Sequence, residues 1–322
     1  ILHIGHLAEG ELRSGAKVTA RVNSTRRAGI RRAHSATHIL HHALQQTLGT
    51  HAQQQGSKVD DDWLRFDFTN MSAVAEEELE KIQQIVDDRL VAAAPVTAKV
   101  LPLAEARSQG AMMLFGEKYP DPVRMVAMGE FSKELCGGTH LDNTSEVEAF
   151  DITHEESVSA GTRRIVALTG AKAKENIERT QAAVEELAEV LGVPVESVAD
   201  GVKFEQARFR ELKKCLASGC TPKVGETVQF GGKQGDLTHT QRKAILHEAA
   251  RQLNVSAFDA AQRLKAVLDE SKKMEQQLEE RQAAGPLSAD EFLASAAEIG
   301  GAKVVIAEVP GGNANLMRQL ID

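Results

Sequence analysis

The hydrophobic pattern changes character at Gly170, and that change divides the chain into two architectures before any motif is considered. Ahead of it, helical and strand patterns mix. From residue 36 to 48, Ile39, Leu40, Ala43, Leu44 and Leu48 recur at helical spacing, and Gly49 supplies the stop. Residues 62–68 alternate as a strand, 73–94 read as an amphipathic helix, and 98–103, 123–128, 146–152 and 164–168 carry further strand signals. This order lacks the regular alternation of a doubly wound parallel sheet, so the expected class is α+β, in one domain over residues 26–170. Ahead of it, residues 1–25 hold a short alternating run from Lys17 to Val22, expected to form strands of a small barrel.

After Gly170 the chain is rich in Glu, Gln, Lys and Ala at helical spacing, which predicts a helical segment over 171–300. Leu264, Val267, Met274 and Leu278 follow a 3-4 spacing long enough for a helical hairpin. An internal repeat runs through this segment: residues 185–193 (EELAEVLGV) and 247–255 (HEAARQLNV) share Glu, Ala, Leu and Val, each followed by a charged helical pattern. The Gly-rich stretch 219–238, with Pro222, reads as a linker or hairpin. A short apolar strand at 302–307, then Val309-Pro-Gly-Gly and a helical pattern, begins a further unit over 301–322. Both ends look cut from a longer protein, and a barrel lacking strands would expose edges, so poor solubility of the isolated chain is expected.

The net charge of −8 argues against a generic nucleic-acid coat, which needs many Lys and Arg contacts to phosphate. Local charge differs: Arg21, Arg26, Arg27, Arg31 and Arg32 crowd one stretch, and Arg163 and Arg164 follow a Gly-Thr turn. Brought together they would make a basic mouth; kept apart they are a solvated face. No apolar run approaches the roughly 18 to 20 residues of a membrane span, and no signal peptide is visible, which predicts a cytoplasmic protein. Three cysteines argue against a disulfide framework, and Cys215 and Cys220, without a histidine close in sequence, are expected to be free thiols.

Four residues carry the chemistry. His34-Ser-Ala-Thr-His38 puts two imidazoles on one face of a helix, and Cys136-Gly-Gly-Thr-His140 has two glycines that let the backbone turn tightly. Together they offer four zinc ligands. Such a site is structural if closed and able to polarise a carbonyl or activate water if a position exchanges. His41 and His42 are expected on the wet face of the helix.

The stretch RRAHSATHILHHALQQTLGTHAQQQGSKVDDDWLRFDFTN, followed by ELCGGTHLDNTSEVEAFDITHEESVSAGTRRIVALTG, resembles the editing domain of alanyl-tRNA synthetases and of the free-standing alanyl-tRNA editing proteins, over about residues 1–170. Residues 171–322 resemble the synthetase's helical linker and the start of its C-terminal domain, with 210–250 departing from the usual pattern. The threonyl-tRNA synthetase editing domain is a related alternative, but CGGTH and SAGTRRI lean towards alanine. The resemblance implies zinc on His34, His38, Cys136 and His140, in a pocket for the 3′ end of tRNA(Ala) mischarged with serine or glycine, and hydrolysis of that ester. A polar site that engages the seryl hydroxyl discriminates better than an apolar pocket can. Thr37 and Thr139 are the candidate hydroxyl contacts, and Gln54 matches a polar pocket position. Arg31, Arg32, Arg163 and Arg164 are the candidates for tRNA, with Gly161 in the turn before the last two. Arg65 and Asp67 read as an ion pair or as direct participants. The aminoacylation domain, which would use ATP and Mg2+ and whose parent's oligomeric state stays open, is absent. Two other readings stand beside this one: a free-standing editing hydrolase, and a zinc-stabilised tRNA-binding module without catalysis.

Overall fold

The computed structural model describes residues 4–113, 118–222, 237–283, 294 and 296–306. It divides into two units, Ile1–Arg179 and Thr180–Asp322.

The first unit is organised around α1 (Ser24–Leu48), whose start is fixed by Asn23: its side chain accepts the Arg26 backbone N–H at 3.0 Å. From Ala33 to Leu44 almost every residue of α1 is buried, polar ones included, because other elements enclose it on several sides. These are α2 (Glu76–Val91) and a four-stranded antiparallel sheet in the order β1-β2-β7-β6, formed by β1 (Gln54–Asp60), β2 (Trp63–Thr69), β6 (Phe150–Ser159) and β7 (Thr162–Thr169). On β2 the period of two sends Leu64, Phe66 and Phe68 into the core against Ile39, Leu40 and Leu44, each fully buried and each worth about 1.5–3 kcal/mol of transfer energy. The edge strand β6 is closed from α2: the Gln83 amide donates to Phe150 O at 2.8 Å and accepts from Ile152 N at 3.2 Å.

A second antiparallel sheet, β3-β4-β5, is formed by β3 (Val96–Leu101), β4 (Val123–Met128) and β5 (Ser132–Leu135). One face of β4 packs Val126 and Met128 into the main core; the other packs Val123 and Met125 with Leu101 and Ala106 of α3 (Leu103–Ser108). In the β4–β5 register Val126 lies opposite Glu134, so Glu134 shares the core face, as Arg124 does by alternation.

Two expectations fail here. Residues 4–23 contain no strand and are all exposed: alternation at 17–22 does not make a strand where no segment among the described residues supplies the ladder. Residues 144–147 form a 3-10 helix, and the strand expected at 146–152 begins only at Phe150. Asn143 explains it, since its side chain accepts the Ser145 backbone N–H at 2.9 Å and starts a turn where alternation suggests extension.

In the second unit the repeat proves to be structural. The helix α4 (Gly170–Leu191), within which the boundary between units falls, is followed by left-handed Gly192, a 3-10 turn at Val195–Ser197 and α5 (Val198–Ser218). Sixty-two residues later α6 (His239–Leu253) is followed by left-handed Asn254, a 3-10 turn at Ala257–Asp259 and α7 (Ala260–Ala283). Core positions correspond at the same offset: Val184, Leu187, Val198 and Val202 in the first copy, Leu246, Ala249, Ala260 and Leu264 in the second. Of the 3-4 series on α7, Leu264 and Val267 join this core, while Met274 and Leu278 pack with Leu212 and Cys215 of α5.

The cysteine expectation is overturned. Cys215 and Cys220 are joined in a disulfide, brought together because left-handed Gly219 folds the chain back at the end of α5. The strand expected at 302–307 is β9 (Ala302–Val304), paired with β8 (Ala297–Ile299). Most of the Gly-rich stretch 219–238 and the helix expected after 309 lie outside the described residues.

Candidate metal centre

His34 and His38 lie one turn apart on α1, and Cys136 and His140 follow β5. Their ring centroids are 4.3 Å apart for His34–His140, 4.7 Å for His38–His140 and 5.5 Å for His34–His38. Cys136 Sγ is 3.5 Å from His34 Nε2 and 3.3 Å from His140 Nε2, and all four ligand atoms lie within 4.8 Å of one another. Ligands at ordinary zinc distances in a tetrahedron stand roughly 3.3–3.6 Å apart, so the nitrogen–sulfur spacings already suit one. Gly138 makes the closeness possible: a Cβ there would meet His34 Cε1 at 2.0 Å.

The loop and the ligands are held from outside. Arg124 Nη1 donates to Cys136 O at 2.8 Å and to Gly138 O at 2.9 Å, and the Gly138 N–H points at Cys136 Sγ at 3.5 Å. Ser35 Oγ accepts the Leu141 N–H at 3.1 Å and lies 3.3 Å from His140 Nδ1; a hydrogen bond to the Thr139 backbone holds His34. The Glu134 carboxylate sits 3.3 Å from His38 Nδ1 and 3.4 Å from His41 Nδ1. Both Nδ1 atoms therefore face the same carboxylate. A carboxylate behind a ligand imidazole fixes which nitrogen faces the metal.

Electrostatics favours lone pairs on the imidazoles. Burial, and then repulsion from His38, pushes the His34 pKa down to about 4, and burial with repulsion from His38 and His34 pushes His140 down to about 2. Burial also lowers His38, while it raises the Cys136 thiol, which must lose its proton to bind a metal.

Beside the ligands opens a cavity of about 470 Å³ lined by Val22, Arg27, Arg31, Arg124, Gly138, Thr139 and His140. Arg31 Nε donates to His140 O at 2.5 Å, and its Nη2 reaches the exposed Asp142 at 3.3 Å. Arg27 has no carboxylate partner among the described residues. Positive charge therefore concentrates at the mouth.

Thr139 lines the cavity, whereas Thr37 is buried and donates to His34 O at 2.7 Å. Gln54 opens β1 and donates to Ser57 Oγ at 3.3 Å. Arg32 forms a two-pronged pair with Asp62 at 2.6 and 2.9 Å, Arg163 with Glu155 at 2.6 Å twice, and Arg164 with Asp67 at 2.7 and 3.0 Å. Arg65 also approaches Asp67, at 3.4 Å, and Gly161 turns the β6–β7 hairpin with φ 75°. Of the four arginines singled out for tRNA, Arg31 alone lines the cavity. The expectation for His41 is wrong: it is 1% exposed, beside Phe66 and Gln45, because α1 is enclosed where an amphipathic helix would have a wet side. His42 is half-buried between Arg89 and Phe131. Sequence reasoning missed Arg124, Glu134 and Ser35, because the roles of the first two depend on the β4–β5 register and that of Ser35 on the enclosure of α1, neither of which local spacing announces.

Residues 123–166 match the family model described as the threonyl and alanyl tRNA synthetase second additional domain. An alanine–tRNA ligase of Rhodopirellula baltica is 45% identical over 328 residues, covering 100% of this chain and 35% of the relative. Alanine–tRNA ligases of Bacillus velezensis and Acetivibrio thermocellus are 42% and 39% identical, over 66% and 72% of this chain and 24% and 27% of their own lengths. The chain thus spans a quarter to a third of the curated relatives it matches. From end to end it is similar to one region of alanine–tRNA ligases, and within it residues 123–166 match the model of the threonyl and alanyl tRNA synthetase second additional domain.

Proposed function

We infer that this chain is the editing region of an alanine–tRNA ligase and hydrolyses the ester of serine or glycine wrongly attached to tRNA(Ala). The observation that carries the reading is the convergence of His34, His38, Cys136 and His140 beside a cavity with three arginines. Three imidazoles and a thiolate are a zinc donor set, and the ion, when bound, would polarise the ester carbonyl or lower the pKa of a water. The rest falls to the chain itself. Arg27, Arg31 and Arg124 attract the phosphodiesters of the tRNA 3′ end. The Thr139 hydroxyl, at the wall of the cavity, is offered to the seryl side chain, which alanine cannot match. Gln54 and Thr37 are retained as further substrate contacts, although Thr37 already bonds within α1. Residues 26–170 are read as the editing domain, 171–300 as a helical linker, and 301–322 as the start of another domain. ATP and Mg2+ would serve an aminoacylation domain elsewhere in a cytoplasmic parent.

A second reading has its own support: four protein ligands fill a tetrahedron, as in zinc sites that only hold a fold. The chain would then be a tRNA-binding module. Serine release from seryl-tRNA(Ala), followed with bound zinc for the chain and for a Cys136→Ala variant, separates the two. Zinc-dependent release lost in the variant supports editing; full zinc occupancy without release supports the module.

A further inference from the structure

Away from the metal centre, Glu211, Cys215 and Cys220 form another close group of potential ligands and nucleophiles among the described residues. Its geometry comes from the helix stop. Gly219, at φ 73°, donates its N–H to Cys215 O at 2.9 Å, and this left-handed turn brings Cys220 back over the last turn of α5, with the two Cα atoms 4.6 Å apart. The turn needs no covalent bond, so the sulfurs remain neighbours when reduced and closure is intramolecular. The bond spans a sequence separation of only 5, which removes little chain entropy and makes a weak staple. Its significance is therefore chemical.

The two sulfurs differ. Cys215 is fully buried against Leu212 and Leu278, with Glu211 Oε1 at 3.8 Å, a carboxylate that can accept its S–H once the bond is reduced. Cys220 packs on the outside of the same cluster and keeps partial exposure. The exposed thiol is the one able to start exchange.

We propose that Cys215 and Cys220 form a redox-reactive dithiol, oxidised and reduced by exchange with small-molecule disulfides and thiols. In the oxidising direction Cys220 loses its proton to water, and the thiolate attacks one sulfur of a disulfide RSSR and expels RS−. Cys215 then loses its proton and attacks the Cys220 sulfur of the mixed disulfide, expelling the second RS−. The protein gives up two electrons and two protons, and the small disulfide becomes two thiols. Disulfide formation and metal capture exclude each other at these sulfurs.

The test uses the full chain equilibrated in glutathione buffers of graded ratio, acid-quenched, alkylated and digested with trypsin. Cleavage after Lys214 and Lys223 places both cysteines on one peptide, apart from Cys136. One transition is expected, from doubly alkylated peptide to unalkylated peptide lighter by two hydrogens, with little mixed disulfide. Cys215→Ser is expected to accumulate a glutathione adduct on Cys220 at least ~10-fold over the adduct that Cys220→Ser forms on Cys215. Helix content and melting of both variants check that they fold. Double alkylation at every ratio, or equal adducts on both variants, would overturn the proposal. So would a second zinc equivalent held by the wild type and lost in Cys215→Ser, which would make the group a metal site.

Discussion

Gly138→Ala should disable the metal centre while leaving the fold in place. The added Cβ would lie 2.0 Å from His34 Cε1 and 2.4 Å from Nδ1, against the roughly 3.5 Å that non-bonded carbons need. The ring or the loop must shift by about 1.5 Å, whereas metal–ligand distances tolerate only about 0.2 Å. One ligand is therefore lost. Disturbing a residue behind a ligand already costs about 10- to 100-fold in affinity, so zinc binding should weaken by at least about 100-fold, about 2.8 kcal/mol. Gly137→Ala is the matched control, since a Cβ there meets nothing within 4 Å. Zinc competition against a chromophoric chelator, with a thermal melt of the zinc-free proteins, reads both. The reasoning fails if Gly138→Ala binds zinc as tightly as Gly137→Ala.

Four further outcomes follow. Glu134→Gln, which removes the charge behind His38, should weaken zinc binding by about 10- to 100-fold; an unchanged affinity would show that the carboxylate serves packing only. Zinc binding at pH 7 should release about one proton. The imidazoles of His34 and His140, lowered to about 4 and about 2, and that of His38, lowered by burial, are already neutral there and only the raised Cys136 thiol must ionise, so affinity should fall as pH falls; titration calorimetry in buffers of different ionisation enthalpy gives the number. Arg27→Ala should raise KM for tRNA and flatten its salt dependence by about one unit without altering zinc content, and loss of zinc would contradict that assignment. Asn254→Ala should cost about 1–2 kcal/mol through its left-handed backbone and Asn254→Gly should not, a difference chemical denaturation resolves.

What could be read ahead of the structure follows physical reach. His34 and His38 were legible because a four-residue step on a helix fixes where two side chains point, and Cys136 and His140 because paired glycines announce a tight turn. Arg124 and Glu134 were not, because their roles arise from the β4–β5 register and not from local spacing. His41 was misread because burial of a polar face depends on how many elements surround a helix. The alternation at 17–22 was misread in the opposite sense, as local pattern without a partner. The repeat at 185–193 and 247–255 was visible as four shared residues, but the left-handed stop that makes it structural is Gly in one copy and Asn in the other. The Cys215–Cys220 bond hinges on that same kind of turn.

The most direct measurement is single-turnover deacylation by the zinc-loaded chain, with seryl-tRNA(Ala) and alanyl-tRNA(Ala) compared side by side. The account predicts zinc-dependent release of serine with alanine left attached. Stoichiometric zinc, bound tRNA and a seryl ester that decays no faster than in buffer would contradict it.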